Sequence, residues 1–227
     1  MSGKIYLGTQ DFNHDSWNGG FYESELPVEW RFQHYANQLR SILISPDQVK
    51  DVEQAQIGQF FEDSDVEFSF VLSMMQQDLL EFETHLWPSY WSKLESRIAG
   101  FQVVLEITAT QQNVTDNLPV INWLKAIAPI CVGGNHEHVD TVFPEQLRSA
   151  LNLSRTWQVA DEKMPQTEGE LLLVFTKDPD LLELRKIIEV CAAWSSKGRN
   201  AGIFFSPTAK SAENAFQGRL LLEMMGC

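Results

Sequence analysis

The segment Gly133-Gly134-Asn135-His136-Glu137-His138-Val139-Asp140 holds the densest chemistry in the chain. Two imidazoles two residues apart, with carboxylates close by, are a donor set for a divalent metal. In an extended segment that spacing puts both rings on one side. Glu106, His136 and Asp161 would then come from three successive strands as three metal ligands. The same residues also read as a polar loop whose histidines are solvated or hydrogen-bonded. The Gly133-Gly134 pair lacks the surrounding pattern of a phosphate-binding loop.

Other groups suggest narrower roles. Glu106 interrupts the apolar run Val103-Val104-Leu105-Glu106-Ile107, and a carboxylate there is either functional or paired with a neighbour. Asp11 and His14 follow the first strand and are candidate acid–base groups, while Trp17 is either a ligand contact or part of a packed loop. No Gly-x-Ser-x-Gly elbow is present, which counts against an α/β-hydrolase nucleophile. Cys131 has a histidine five residues on but sits in an apolar run, where burial raises a thiol's pKa. It reads as inert.

The elements that must position these groups alternate. Strands are predicted over Ile5–Thr9, Ser41–Ser45, Glu67–Ser73, Gln102–Thr108, Ile130–Gly134, Thr156–Asp161, Leu171–Thr176 and Gly202–Ser206. Most are near-continuously apolar, as in Leu171-Leu172-Leu173-Val174-Phe175, which predicts a parallel sheet covered on both faces. Between them lie helix signals. Ser45-Pro46-Asp47 and Asp178-Pro179-Asp180 each set a capping residue before a proline. Leu181, Leu184, Ile188 and Cys191 then form one stripe, as do Trp91, Leu94 and Ile98, with Gly100 placed to stop the latter helix. A last helix is expected from Ser211 to Met225.

Eight strands, most followed by a helix, predict an α/β fold: a single-domain (β/α)8 TIM-type barrel over residues 1–227. Only eight residues separate Asp161 from Glu170, so the helix after strand six is expected to be short or missing. The alternative is a doubly wound open sheet. In such a barrel the site lies at the C-terminal mouth, which is where Asp11, His14, Trp17, Glu106, His136 and Asp161 fall.

Composition narrows the classes. Of 227 residues 44% are hydrophobic and 21% charged, an ordinary globular balance. No run approaches the about 18–20 apolar residues of a membrane span. Met1-Ser2-Gly3-Lys4-Ile5 leads into the first strand with no apolar signal region. Cys131, Cys191 and Cys227 are far apart and lack metal-type spacing, pointing to a reducing, cytoplasmic setting. The net charge of −14 argues against nucleic-acid binding.

The first fifty residues add a resemblance. Gly8-Thr9, Trp17-x-Gly19-x-Phe21-Tyr22, Leu26-Pro27, Trp30 and Tyr35-Ala36 resemble the opening signature of the YecE-like family (domain of unknown function 72). Phe204-Phe205 and Ala212-x-Asn214-Ala215 resemble its end, and Phe68-x-Phe70 and Ala160-Asp161 lie between. The resemblance implies a TIM-type barrel with no assigned reaction.

The departures concern the mouth. Where the family carries a Val-Glu-Ile-Asn strand, this chain has Ile42-Leu43-Ile44-Ser45. The family's Glu-Phe-Arg-His becomes Gly133-Gly134-Asn135-His136, and its Phe-Asn-Asn becomes Phe205-Ser206-Pro207. Its Arg-x-His-Gly after strand seven is absent from Val174-Phe175-Thr176-Lys177. Leu43 has no titratable group and cannot do the acid–base work of a glutamate. The expected function is therefore binding of a small polar ligand at the mouth with little or no catalysis. The alternative is a metal-assisted hydrolase or isomerase rebuilt around Glu106, His136 and Asp161, with His14 or Asp11 as acid–base group. The residues name no cofactor, reaction or oligomeric state.

Overall fold

Short apolar runs become the staves of a parallel barrel. The computed structural model describes residues 2–44, 54–76, 79, 94–106, 108, 110–134, 136–161, 164 and 167–226. The strands are β1 (Ile5–Gln10), β2 (Ser41–Ile44), β3 (Ser69–Met75), β4 (Ile98–Val104), β5 (Ile130–Gly133), β6 (Ser154–Arg155), β7 (Trp157–Gln158), β8 (Leu171–Thr176) and β9 (Asn200–Phe205). The described α-helices are α1 (Arg31–Gln38), α2 (Gln54–Asp63), α3 (Gln111–Ile127), α4 (His136–Val142), α5 (Glu145–Ala150), α6 (Leu181–Ser195) and α7 (Ser211–Met225).

The strand order is β6-β5-β4-β3-β2-β1-β9-β8-β7, every pairing parallel. The two ends of that order are one segment. β6 and β7 are separated by Thr156 alone, whose N–H donates to the Val132 carbonyl at 2.9 Å. β6 pairs with β5 and β7 with β8, so residues 154–158 act as one stave and the sheet closes as a (β/α)8 barrel. The stave splits because a strand of five residues serves one neighbour with its first half and the other with its second. Between β7 and β8 the described residues hold only the 3-10 turn Val159–Asp161, in keeping with a short or missing sixth helix.

Alternate residues of the strands face the barrel interior, except that β4 changes step at Ala99–Gly100, where the β3–β4 register shifts. Its closed part is apolar: Val71, Ala99, Cys131, Leu171, Leu173 and Phe204 pack with Leu43 and Phe175. The opposite strand faces meet the helices in a larger core that includes Ile42, Phe70, Phe101, Leu172 and Ile203. Burial pushes the thiols of Cys131 and Cys191 up to about 12, which leaves both protonated and unreactive at neutral pH. Among the described residues no helix is long and apolar enough to cross a membrane.

Several expectations need correcting. β4 runs over Ile98–Val104 rather than Gln102–Thr108, so Ile98 is a strand residue and Gly100 ends no helix. A Cβ on Gly100 would stand 2.2 Å from Leu171 Cδ2, so the glycine makes room for the interior. In α6 the N-cap is Asp180, whose carboxylate accepts the Glu183 N–H at 2.8 Å, not Asp178. Leu181 is therefore in the first turn and 60% exposed, and the buried stripe is Leu184, Ile187, Ile188, Cys191 and Trp194. Trp91, Cys227 and the Ser45-Pro46-Asp47 signal lie outside the described residues.

Candidate functional site

The β1–α1 loop borders the mouth and carries most of the opening signature. Trp17 is 1% exposed and donates its indole N–H to the Thr208 carbonyl at 2.7 Å, tying the loop to the segment after β9. Its ring lies nearly parallel to Tyr35, 6.5 Å between centroids, with Phe21 edge-on at 5.6 Å. The Tyr22 hydroxyl donates to the Phe12 carbonyl. Arg31 of α1, almost fully buried, donates to Asn13 Oδ1 at 2.6 Å and Asn18 Oδ1 at 2.8 Å.

Tyr35 binds the loop to the barrel wall. Its hydroxyl donates to the Ser41 carbonyl at 2.9 Å and accepts the Thr9 N–H at 2.9 Å, spanning β1 and β2. Burial pushes the phenols of Tyr35 and Tyr22 well above their ordinary range, so both stay neutral donors. The signature residues Thr9, Trp17, Tyr22 and Tyr35 are thus spent on each other and on the backbone.

Inside this rim lies a cavity of about 390 Å³ at the C-terminal ends of the strands. Gln10, Asp11, His14, Ser73, Gln102 and Gln158 supply its polar lining. Leu43, Val104, Phe175 and Pro207 supply the apolar lining. Strand alternation explains the set. Val71 and Ser73 are two apart on β3, as are Gly100, Gln102 and Val104 on β4, so the interior changes from apolar to polar toward the mouth.

Four lining groups are held in place. The Ser73 hydroxyl donates to Gln102 Oε1 at 3.0 Å, and Gln102 is only 7% exposed. A Cβ on Gly133 would stand 2.6 Å from Gln102 Nε2, so that glycine leaves the amide its space. His14 Nε2 lies 2.9 Å from the Gln10 carbonyl, which can only accept, so Nε2 carries a proton. Asp11 adopts φ 65°, in the left-handed region, and its Oδ1 accepts the N–H groups of Phe12 and Asn13 at 2.5 and 3.1 Å. That local bonding is what lets an aspartate hold this conformation.

The sequence-predicted residues are only partly brought together. Asp11 and His14 line the cavity. Trp17 does not, because its ring is packed and its N–H is used. Glu106 stands two residues past the end of β4, half-buried, rather than inside a strand. His136 and His138 lie on α4, where a spacing of two does not put side chains on one face, so the extended His-x-His arrangement is not formed. The side chains of His136, His138 and Asp161 lie outside what is described. Among the described residues no three His, Cys, Asp or Glu side chains gather as a metal site.

Sequence reasoning missed Ser73, Gln102 and Gln158 as lining residues. The available signal was a polar side chain at an inward position of an otherwise apolar strand, as in Gly100-Phe101-Gln102-Val103-Val104.

No family model matches the sequence, and no curated protein matches it. Solved structures do. A DUF72 family protein from Thermotoga maritima is 14% identical with a TM-score of 0.70, over 97% of this chain and 99% of its own. One from Enterococcus faecalis is 16% identical with a TM-score of 0.67, over 97% and 98%. D-psicose 3-epimerase from Clostridium cellulolyticum, solved with D-tagatose, is 10% identical with a TM-score of 0.54, over 93% and 89%. At such identities the likeness shows the fold, a TIM-type barrel shared with DUF72 family proteins over nearly the whole chain.

Proposed function

We propose that this chain is a divergent DUF72 family barrel that binds a small polar ligand at its mouth and retains little or no catalysis. The observation that carries this is the identity of two cavity-lining residues. Leu43 and Pro207 line the mouth at positions where the resemblance carries Glu and Asn, so apolar groups stand where the family pattern places polar ones. A cavity of about 390 Å³ with a polar rim on apolar walls has the dimensions and lining of a small-molecule site. The buried free thiols Cys131 and Cys191 support a cytoplasmic setting as part of the same reading.

Native mass spectrometry of freshly purified protein, with and without chelator, tests it. The expected spectrum shows the chain alone or with an organic adduct, unchanged by chelator. A stoichiometric metal removed by chelator, with a fall in thermal stability, would overturn it in favour of a metal-assisted enzyme around Glu106, His136 and Asp161.

A further inference from the structure

We infer that the ligand of this mouth is an uncharged polyhydroxylated molecule of the sugar or sugar-alcohol class, selected by the side-chain amide of Gln102; this rests on the binding role proposed above. The polar lining is made mostly of groups that both donate and accept. Gln10, Gln102 and Gln158 each offer an amide N–H2 and a carbonyl oxygen, and Ser73 a hydroxyl. A hydroxyl also donates and accepts, so a polyol can satisfy such groups in either sense.

Charge excludes the main competitors. No Lys or Arg is among the described residues lining the cavity. The His14 Nε2–H is already given to the Gln10 carbonyl, so among the described residues a phosphate or carboxylate entering the cavity would lose hydration without gaining a free cationic partner. Asp11, the one acid among the described lining residues, would oppose such an anion, as would a chain carrying a net charge of −14. A cationic ligand meets a single carboxylate, one of whose oxygens is committed to the N–H groups of Phe12 and Asn13. The apolar walls complete the match, since Phe175 and Pro207 can cover the C–H faces that a sugar presents between its hydroxyls.

Gln102 decides orientation because it is the amide with least freedom. Ser73 bonds its oxygen, the space over Gly133 receives its nitrogen, and β4 fixes its backbone. A fixed amide presented to a ligand discriminates more strongly than a mobile one, because a mismatched partner leaves it unpaired.

The test is a binding series on the full chain by ligand-observed NMR and thermal shift at low salt. D-Fructose and xylitol are compared with D-fructose 6-phosphate, D-gluconate and D-glucosamine, on the parent protein and on Gln102→Leu and Gln158→Ala. The neutral probes should bind at least about tenfold more tightly than the charged ones, and both variants should weaken them by about fivefold or more. Gln158→Ala keeps the test decisive if Gln102→Leu fails to fold. Tightest binding of a phosphorylated, carboxylated or cationic probe that the Gln158 variant weakens would overturn the ligand class and leave the mouth as a binding site. Binding of neutral probes untouched by the variants would overturn the role of the mouth amides. Silence across every probe would overturn both the class and the binding function.

Discussion

The β1–α1 loop and the cavity it borders touch each other, yet the loop spends nearly all its polar atoms within the protein while the cavity spends only part of its own. In the loop the indole of Trp17, the hydroxyls of Tyr22 and Tyr35 and the guanidinium of Arg31 all bond within the protein. In the cavity, Gln10, Gln158 and their neighbours line open volume. The recognisable motif is the packed one. Its spacing is demanding because aromatic rings must interlock and their donors must meet particular carbonyls. The polar residues that line the cavity are amides, a serine, Asp11 and His14, which carry no motif at all. The signature in the sequence therefore marks what packs the β1–α1 loop against the barrel, and the proposed ligand layer lies one step inward.

The sharpest way to break this contrast is Trp17→Ala. Truncation removes a ring that is 1% exposed, takes the indole donor from the Thr208 carbonyl, which keeps the Ser211 hydroxyl, and opens the stack on Tyr35. Urea unfolding should show a loss of about 3–5 kcal/mol. A loss below about 1 kcal/mol would mean that Trp17 is not structural, and the ligand-contact reading would return.

The sequence made the barrel legible where local pattern and tertiary role agree. β5 and β8 fall within a residue of the predicted runs because a strand buried on both faces is continuously apolar whatever its neighbours. β4 slipped by four residues because Gly100 looks like a helix stop, while its actual task is steric and depends on Leu171, seventy-one positions away. A strand placed four residues late puts Glu106 inside it and Gln102 at its start, whereas β4 ends at Val104 and holds Gln102 in its second half. The His-x-His pair failed for a related reason: its metal geometry assumed extended backbone, and α4 winds the segment into a helix. Asp11 and His14 were found because the end of β1 was placed correctly.

A smaller effect separates packing from polarity inside the barrel. Gly100→Ala puts a methyl within 2.2 Å of Leu171 Cδ2 and 3.0 Å of the Pro129 carbonyl. Overpacking of this kind should cost about 1–3 kcal/mol. Leu171→Ala in the same chain should recover part of that loss, because the methyl would enter the space the leucine vacates. Chemical denaturation of the two single variants and the double variant measures the coupling. Purely additive losses would show that Gly100 is required by its backbone and not by the interior.

The smallest stability effect should come from the cavity itself. Gln158 is exposed at the end of β7, and its side chain lines the mouth without a role in barrel closure, which its backbone performs. Gln158→Ala should therefore leave stability within about 0.5 kcal/mol of the parent in urea. Read beside Trp17→Ala, that figure tests the division of labour directly. If the outward layer holds the barrel and the inward layer serves a ligand, the order of the two variants must reverse when binding is measured relative to stability: Gln158 costs almost no folding energy and weakens binding, whereas Trp17 costs folding energy first. Should Gln158→Ala destabilise the chain as much as Trp17→Ala, its amide belongs to the scaffold, and the cavity loses its claim to be the functional layer.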